Sequence, residues 1–202
     1  MEVLVSTRND DKFLEINRIL KDARIKALSL NDFPGTPKVK EDGKTFSDNA
    51  CKKALKIARI TKRLTVADDS GLEVSALDNA PGIYSARFSG SKATYASNNK
   101  KLLRLLKDLP KSRRKARFVC CVAVADANGI VGVVEGICRG MITTAEKGKN
   151  GFGYDPLFIC NECNKTFAQL SPAIKNKLSH RAKAFAKAKK MILKYIEKED
   201  KE

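Results

Sequence analysis

The chain has 202 residues and a mass of 22.3 kDa, of which 43% are hydrophobic, with 12 glycines and 6 prolines. That suits one globular domain, or one domain with two closely packed lobes, and leaves room for a core that holds a cleft. No run approaches the ~18 apolar residues a membrane span needs, and Met1-Glu2-Val3-Leu4-Val5-Ser6 is too short and too acidic for a secretion signal, so a cytoplasmic location is expected. Forty Lys and Arg against 23 Asp and Glu give a net charge of +17. This keeps two anionic partners open, nucleic acid and a polyphosphate.

In chain order, Val3 to Ser6 reads as a buried strand, followed by a helix from about Asp11 to Asp22 with Phe13, Ile16, Ile19 and Leu20 on one face. Ile25 to Leu30 is a second strand, and the proline- and glycine-bearing stretch from Asn31 to Lys44 is a loop. Thr45 or Ser47 caps a helix through about Lys62, with Ala50, Ala54, Ile57 and Ala58 inward. Leu64 to Ala67 is a strand that presents Asp68-Asp69-Ser70-Gly71 at its C-terminal end. Ser75 to Gly90 is irregular, and Thr94 to Leu109 is a helix closed by Pro110. Arg117 to Ala125 and Ile130 to Cys138 are strands around Asn128-Gly129, a dipeptide that favours a tight hairpin. Gly148 to Pro156 is a glycine-rich loop, and Ser171-Pro172 opens a helical region to Glu197, re-capped at Ser179. Parallel β-α units beside a hairpin imply an α/β fold with a mixed sheet.

Six cysteines are dispersed, and Cys120-Cys121 point to opposite faces of one strand, as free core thiols do. Cys160 and Cys163 alone have metal or redox spacing. A zinc site needs a second pair of ligands, and the sole histidine, His180, sits elsewhere, so these loop thiols read as structural bystanders. Lys and Arg crowd into Lys100–Arg117 and Lys175–Lys201. Both stretches have the apolar spacing of packed helices with a solvated basic face, and neither reads as an interleaved stacking platform.

Four segments carry candidate chemistry. Ser6 to Lys12 is a strand–loop–helix whose unpaired N–H groups suit phosphate, with Thr7 and Asn9 as donors and Lys12 as a point charge. It lacks the glycines of a P-loop, and a simple capped helix is the equal alternative. Glu41 and the Asp68-Asp69 pair offer carboxylates of the kind Mg²⁺ takes, although paired turn carboxylates also occur without function. In Gly148–Pro156, glycines let backbone approach a ligand, Phe152 and Tyr154 offer flat faces to a base, and Asp155 either meets a purine edge or holds the loop. The alternative is a hairpin with two packing aromatics. Lys175 to Arg181 closes the set, with His180 and Arg181 as donors in the first turn of a helix capped by Ser179. Such donors reward a 6-keto oxygen and oppose a 6-amino group.

Together, Ser6-Thr7-x-Asn9-x-x-Lys12-x-x-Glu15-Ile16, Glu41-Asp42-Gly43-x-Thr45-Phe46-x-Asp48-Asn49-Ala50, Ala67-Asp68-Asp69-Ser70-Gly71-Leu72-Glu73-Val74, Ala80-Pro81-Gly82-Ile83-Tyr84-Ser85-Ala86-Arg87, Gly151-Phe152-Gly153-Tyr154-Asp155-Pro156 and Ser179-His180-Arg181 span almost the whole chain. In this order they resemble the inosine triphosphate pyrophosphatase family. The resemblance implies Mg²⁺-dependent hydrolysis of non-standard purine nucleoside triphosphates (ITP, dITP, XTP) to the monophosphate and pyrophosphate. It implies an α/β fold with a long mixed sheet flanked by helices, two lobes around a substrate cleft, and a homodimer. It assigns the triphosphate to the segment Thr7, Arg8, Asn9, Asp10, Asp11 and Lys12, with Lys53, and puts Ser70 near the phosphates. Glu41 and Asp69 would hold Mg²⁺, and Asp69 would stand closest to the chemistry. Phe152, Gly153, Tyr154, Asp155, Lys175, His180 and Arg181 would form the base pocket. Three departures stand out: Asp10-Asp11 where the family often has small residues, Ala182 for a glycine, and Ala173-Ile174 where acids are frequent. Two alternatives remain, a basic nucleic-acid-binding module and a pyrophosphatase of the same class with another nucleotide preference.

Overall fold

The computed structural model describes residues 1–200. The elements are β1 (Glu2–Val5), α1 (Asp10–Leu20), β2 (Lys26–Ser29), α2 (Phe46–Thr61), β3 (Thr65–Val74), α3 (Tyr95–Leu105), β4 (Lys115–Ala125), β5 (Ile130–Ile142), β6 (Phe158–Cys160), β7 (Lys165–Thr166), α4 (Pro172–Leu178) and α5 (His180–Glu199). The seven strands form one mixed, open sheet in the order β2-β1-β3-β4-β5-β6-β7. β1 pairs parallel with β2 and β3, while β5, β6 and β7 pair antiparallel. Among the described residues, no helix is long and apolar enough to cross a membrane.

The chain divides into two compact units. The first comprises Met1–Asp69, Cys120–Gly136 and the residues from Arg181 onward, and the second comprises Ser70–Val119 and Ile137–His180. In the first unit the two-residue period of a strand sorts the core. Val3, Val5, Leu64 and Val66 face Ile16 and Leu20 of α1 and Phe185, Ala188 and Ile192 of α5. Leu4, one residue out of phase, packs instead with Leu30 and Ile57 of α2. The α5 stripe leaves its lysines outside, as a solvated basic face requires. Its two aromatics are not stacking platforms: Phe185 is in the core and the Tyr195 hydroxyl donates to Asp126 at 3.0 Å. Cys120 and Cys121 are both buried free thiols, and burial pushes the Cys121 thiol up to about 12.

Helix starts follow the sequence closely. Asn9 caps α1, its side chain accepting from Lys12 N at 3.0 Å, and Asp10 and Asp11 lie in the first turn, where acids meet the positive end of the helix dipole. Thr45, rather than Ser47, caps α2 through a reciprocal box with Asp48.

Three expected boundaries shift. β3 does not end at Ala67 but runs through Asp68-Asp69-Ser70-Gly71 to Val74; β1 pairs with it only at Thr65 and Val66, and β4 is its neighbour on the other side. β5 likewise extends from Cys138 to Ile142, where β6 supplies a partner. Asn128-Gly129 does not form a tight two-residue turn: Asp126 Oδ1 accepts from the N–H groups of both at 2.8 Å, drawing four residues into the connection. In the second unit, α3 stops at Leu105 rather than Leu109, and the buried Arg114 guanidinium takes the carbonyls of Leu106, Leu109 and Thr143. A side chain thus satisfies groups that another helical turn would have used.

That second core is aromatic. Phe118, Phe158 and Phe167 pack with Leu72, Leu102, Tyr154 and Cys160, and the Phe118–Phe158 centroids lie 4.7 Å apart. Gly140 of β5 lets β6 approach: a Cβ there would fall on the Ile159 carbonyl and 2.6 Å from the Phe158 ring. Gly140→Ala is therefore expected to cost about 1–3 kcal/mol, the usual penalty of overpacking, read as a lower urea midpoint with an unchanged slope.

Candidate active site

β3 places two adjacent carboxylates on opposite faces of the sheet. Asp68 shares the face of Val66, and Asp69 faces α2. Asp68 is 2% exposed. Its Oδ2 accepts from Lys12 Nζ at 3.0 Å and stands 3.7 Å from an Arg181 nitrogen. Burial alone would raise its pKa, but Lys12, Arg181 and Lys53 outweigh it and hold the carboxyl well below the usual carboxylate range. Arg181 also donates to Glu15 Oε2 at 2.6 Å. Asp68 therefore binds the starts of α1 and α5 to the middle of the sheet.

On the other face, Lys53 Nζ donates to Glu41 Oε1 at 2.7 Å and lies 4.0 Å from Asp69 Oδ1. Burial works against the Lys53 ammonium, yet Asp68, Glu41 and Asp69 outweigh it and raise its pKa. Asp69 itself is raised, chiefly by burial and further by Glu41, against the pull of Lys53 and of Asn49. Asn49, not singled out above, is the organiser of this group. Its Nδ2 donates to Asp69 Oδ2 at 2.9 Å, while its Oδ1 accepts from Gly43 N at 2.8 Å. Gly43 must be glycine here, since a Cβ would sit 2.8 Å from Asn49 Oδ1. The signal for Asn49 lay in the capping box, which fixes where the first turn of α2 points. Glu41 and Asp69 thus converge on one positive charge, and two carboxylates so arranged fit a hard divalent ion such as Mg²⁺.

Not every residue of the Ser6–Lys12 segment is directed to this group. Arg8 donates to Thr36 O at 2.7 Å and to Thr36 Oγ1 at 3.0 Å, and Asp10 accepts from Asn31 at 2.9 Å. Both tie α1 to the loop beyond β2. Asp11 is exposed in the first turn of the helix. Thr7 Oγ1 accepts from Asn9 N at 3.2 Å.

The second unit gathers the remaining candidates. Lys175 and Asp155, both nearly buried, form a 2.6 Å ion pair, and Asp155 Oδ2 also accepts from Phe152 N at 2.9 Å. Lys175 Nζ stands 4.7 Å from the centroid of the half-buried Phe152 ring. Tyr95, unforeseen from sequence, puts its ring 6.1 Å from Phe152. Gly151 and Gly153 have φ of +74° and +62°, and a side chain at Gly151 would collide with the Asp155 carboxylate. Asp155 therefore holds the loop. Tyr154 is a core residue: 5% exposed, it donates its hydroxyl to Ser85 O at 2.9 Å, and burial pushes its pKa well up. His180 is 4% exposed and stacks on Phe118 at 4.6 Å and 11°. Ser70 is half-buried on β3.

Removing the Asp68 charge takes a counter-charge from the buried Arg181 and the half-buried Lys12. Asp68→Asn is expected to cost about 3–5 kcal/mol. A depressed carboxyl stabilises the fold above its unfolded value of 3.8, and that contribution is lost as pH falls through the folded value. Denaturation from neutral pH into the acid range should show the gap between wild type and Asp68→Asn narrowing below about pH 4.

The chain matches the Ham1 family over residues 3–191. It is 48% identical over 192 residues to the dITP/XTP pyrophosphatase of Desulforamulus reducens, covering 95% of this chain and 96% of that protein. It is 47% identical to the enzyme of the same name from Geobacter sulfurreducens, over 91% of this chain and 92% of the other. Among solved structures, a HAM1 protein from Coxiella burnetii superposes with a TM-score of 0.87 at 36% identity, over 96% of this chain and 99% of that one. The Ham1 protein of Staphylococcus aureus gives 0.85 at 33% identity, over 96% and 100%. The sheet order, the site residues and these matches lead to one statement: this chain is a member of the Ham1 family.

Proposed function

We propose that the protein hydrolyses non-standard purine nucleoside triphosphates, dITP, ITP and XTP, to the monophosphate and pyrophosphate. It is a nucleoside-triphosphate pyrophosphatase. The observation that carries the reading is the convergence of Glu41, Asp69 and Lys53, in a chain whose relatives are named for this reaction. Cytoplasmic location and a homodimer belong to the same reading and rest on family membership.

In this reading Lys12 and Lys53 serve the phosphates: each is an ammonium group paired with a carboxylate, Asp68 and Glu41 respectively, and each has further N–H donors to offer a phosphate oxygen. Glu41 and Asp69 would hold Mg²⁺, which would supply charge neutralisation and Lewis-acid polarisation of a phosphoryl oxygen. Water attacks the α-phosphorus, the α–β anhydride bond breaks, and the electron pair leaves on the pyrophosphate oxygen, where the lysines stabilise it. The proton of the attacking water goes to Asp69. Asn49 orients it with a single hydrogen bond.

Phe152 and Tyr95 offer ring faces to the base, and the Asp155–Lys175 pair fixes the backbone that carries Phe152. His180, stacked on Phe118, supplies polarity toward a 6-keto oxygen; adenine would bring an amino donor to that place.

Pyrophosphate release from ITP, GTP and ATP, each with and without Mg²⁺, tests the proposal. Metal-dependent release from ITP above the other two is expected, and no release from any of the three would sink it. Asp69→Asn is expected to lower kcat by at least about 10² with the fold intact by circular dichroism; a folded, fully active variant would remove Asp69 from the chemistry. Phe152→Ala is expected to raise KM for ITP about 5- to 100-fold, the loss of one stacking contact. Unchanged KM would remove that ring from the base site.

A further inference from the structure

Beyond the nucleotide chemistry, we propose that Cys138, Cys160, Glu162 and Cys163 form a binding site for one soft divalent cation, of which Zn²⁺ is the representative. The sequence offers only the Cys160-x-x-Cys163 pair. The fold supplies the rest. In the β5–β6 ladder Gly140 pairs with Cys160, so two residues earlier Cys138 lies beside the turn that follows β6. Its sulfur is 3.5 Å from that of Cys160. One donor atom from each of Cys138, Cys160 and Glu162 lies within 4.8 Å of the others.

These separations match a coordination shell. With Zn–S bonds of ~2.3 Å, the edge of a tetrahedron is about 3.8 Å. The two sulfurs are already within a few tenths of an ångström of it. The turn is shaped to return a fourth ligand. Cys163 N and Asn164 N both donate to Cys160 O, at 3.4 and 2.9 Å, and Asn164 adopts a left-handed φ of 52°. Cys163, three residues after Cys160, has its thiol directed to Lys165 O at 3.9 Å, so it joins the shell by turning from that carbonyl to the metal.

Burial is graded as an entry path requires. Cys138 and Cys160 are fully buried, Cys163 is half-buried and Glu162 is exposed. Three sulfurs with one carboxylate select a soft or borderline ion over Mg²⁺, which prefers oxygen. The site therefore does not compete with Glu41 and Asp69 for the same metal. A Cys138–Cys160 disulfide would use two of the four donors and leave Glu162 and Cys163 unused.

The test uses the full-length protein, reduced and stripped with a chelator, then titrated with Co²⁺ alone. One equivalent is expected to give the near-ultraviolet sulfur-to-cobalt charge-transfer band and the visible bands of a tetrahedral ion, both lost on adding one equivalent of Zn²⁺. Cobalt on the carboxylates of Glu41 and Asp69 has no sulfur band, so the readout separates the two sites. Cys160→Ser should abolish the band, and Cys51→Ser, on α2 of the other unit, should keep it. Cys163→Ser and Glu162→Gln, both outside the core, should weaken Zn²⁺ binding about 10- to 100-fold, and they carry the test if Cys160→Ser does not fold. A folded, reduced wild type without the charge-transfer band overturns the proposal. So does a band and Zn²⁺ affinity indifferent to Cys163→Ser and Glu162→Gln.

Discussion

A buried carboxylate in the middle of a strand is the constraint on which the first unit depends. Asp68 is ionised and out of water, so it must be surrounded by positive charge, and Lys12 and Arg181 come to it from the first turns of α1 and α5. Those helices are more than 150 residues apart in sequence, judged from their positions at 12 and 181. Bringing them to one carboxylate sets where each begins. It also sets what the next residue does. Asp69 emerges on the opposite face because strand side chains alternate, and there it finds Asn49 and Lys53 of α2. One carboxylate is thereby paired with Lys12 and Arg181 and its neighbour with Asn49, with no difference in residue type between them.

The second unit uses the same device in a smaller space. The Asp155–Lys175 pair is buried and also receives the Phe152 N–H. A glycine loop with left-handed turns at Gly151 and Gly153 would otherwise have many conformations available. The ion pair selects one, and so places the Phe152 ring.

The charge of +17 takes its place in this arrangement without requiring a nucleic-acid role. Lysines of α5 line the solvent side of a helix whose other side is core. A positive field of this kind raises encounter rates for any polyanion, and a nucleoside triphosphate is one. The thiols divide similarly by environment. Burial and the neighbouring carboxylates of Asp68 and Glu135 raise the Cys120 and Cys121 thiols, whereas Cys160 lies beside the Cys138 sulfur at the end of β6.

Much was determined by the sequence alone. Caps, apolar spacing and turn residues located α1, α2, β1, β2 and the α4–α5 break at Ser179 to within a few residues, because each depends on local hydrogen bonds and on a face to bury. The motifs carried the family. What only the tertiary structure decided depends on neighbours distant along the chain. β3 runs through its acids with β4 beside it, and just past the end of α3 Arg114 takes the Leu106 and Leu109 carbonyls. Tyr154, indistinguishable from Phe152 as a flat ring in sequence, is core because Ser85 O awaits its hydroxyl. Asn49 becomes the orienter of Asp69, and Arg8 and Asp10 turn to the loop beyond β2, through contacts no spacing rule contains. Cys138 joins Cys160 only because two strands pair antiparallel in one register. Local chemistry is written in neighbouring residues; the assignment of a role to each charged or aromatic group waits for the partner that folding brings to it.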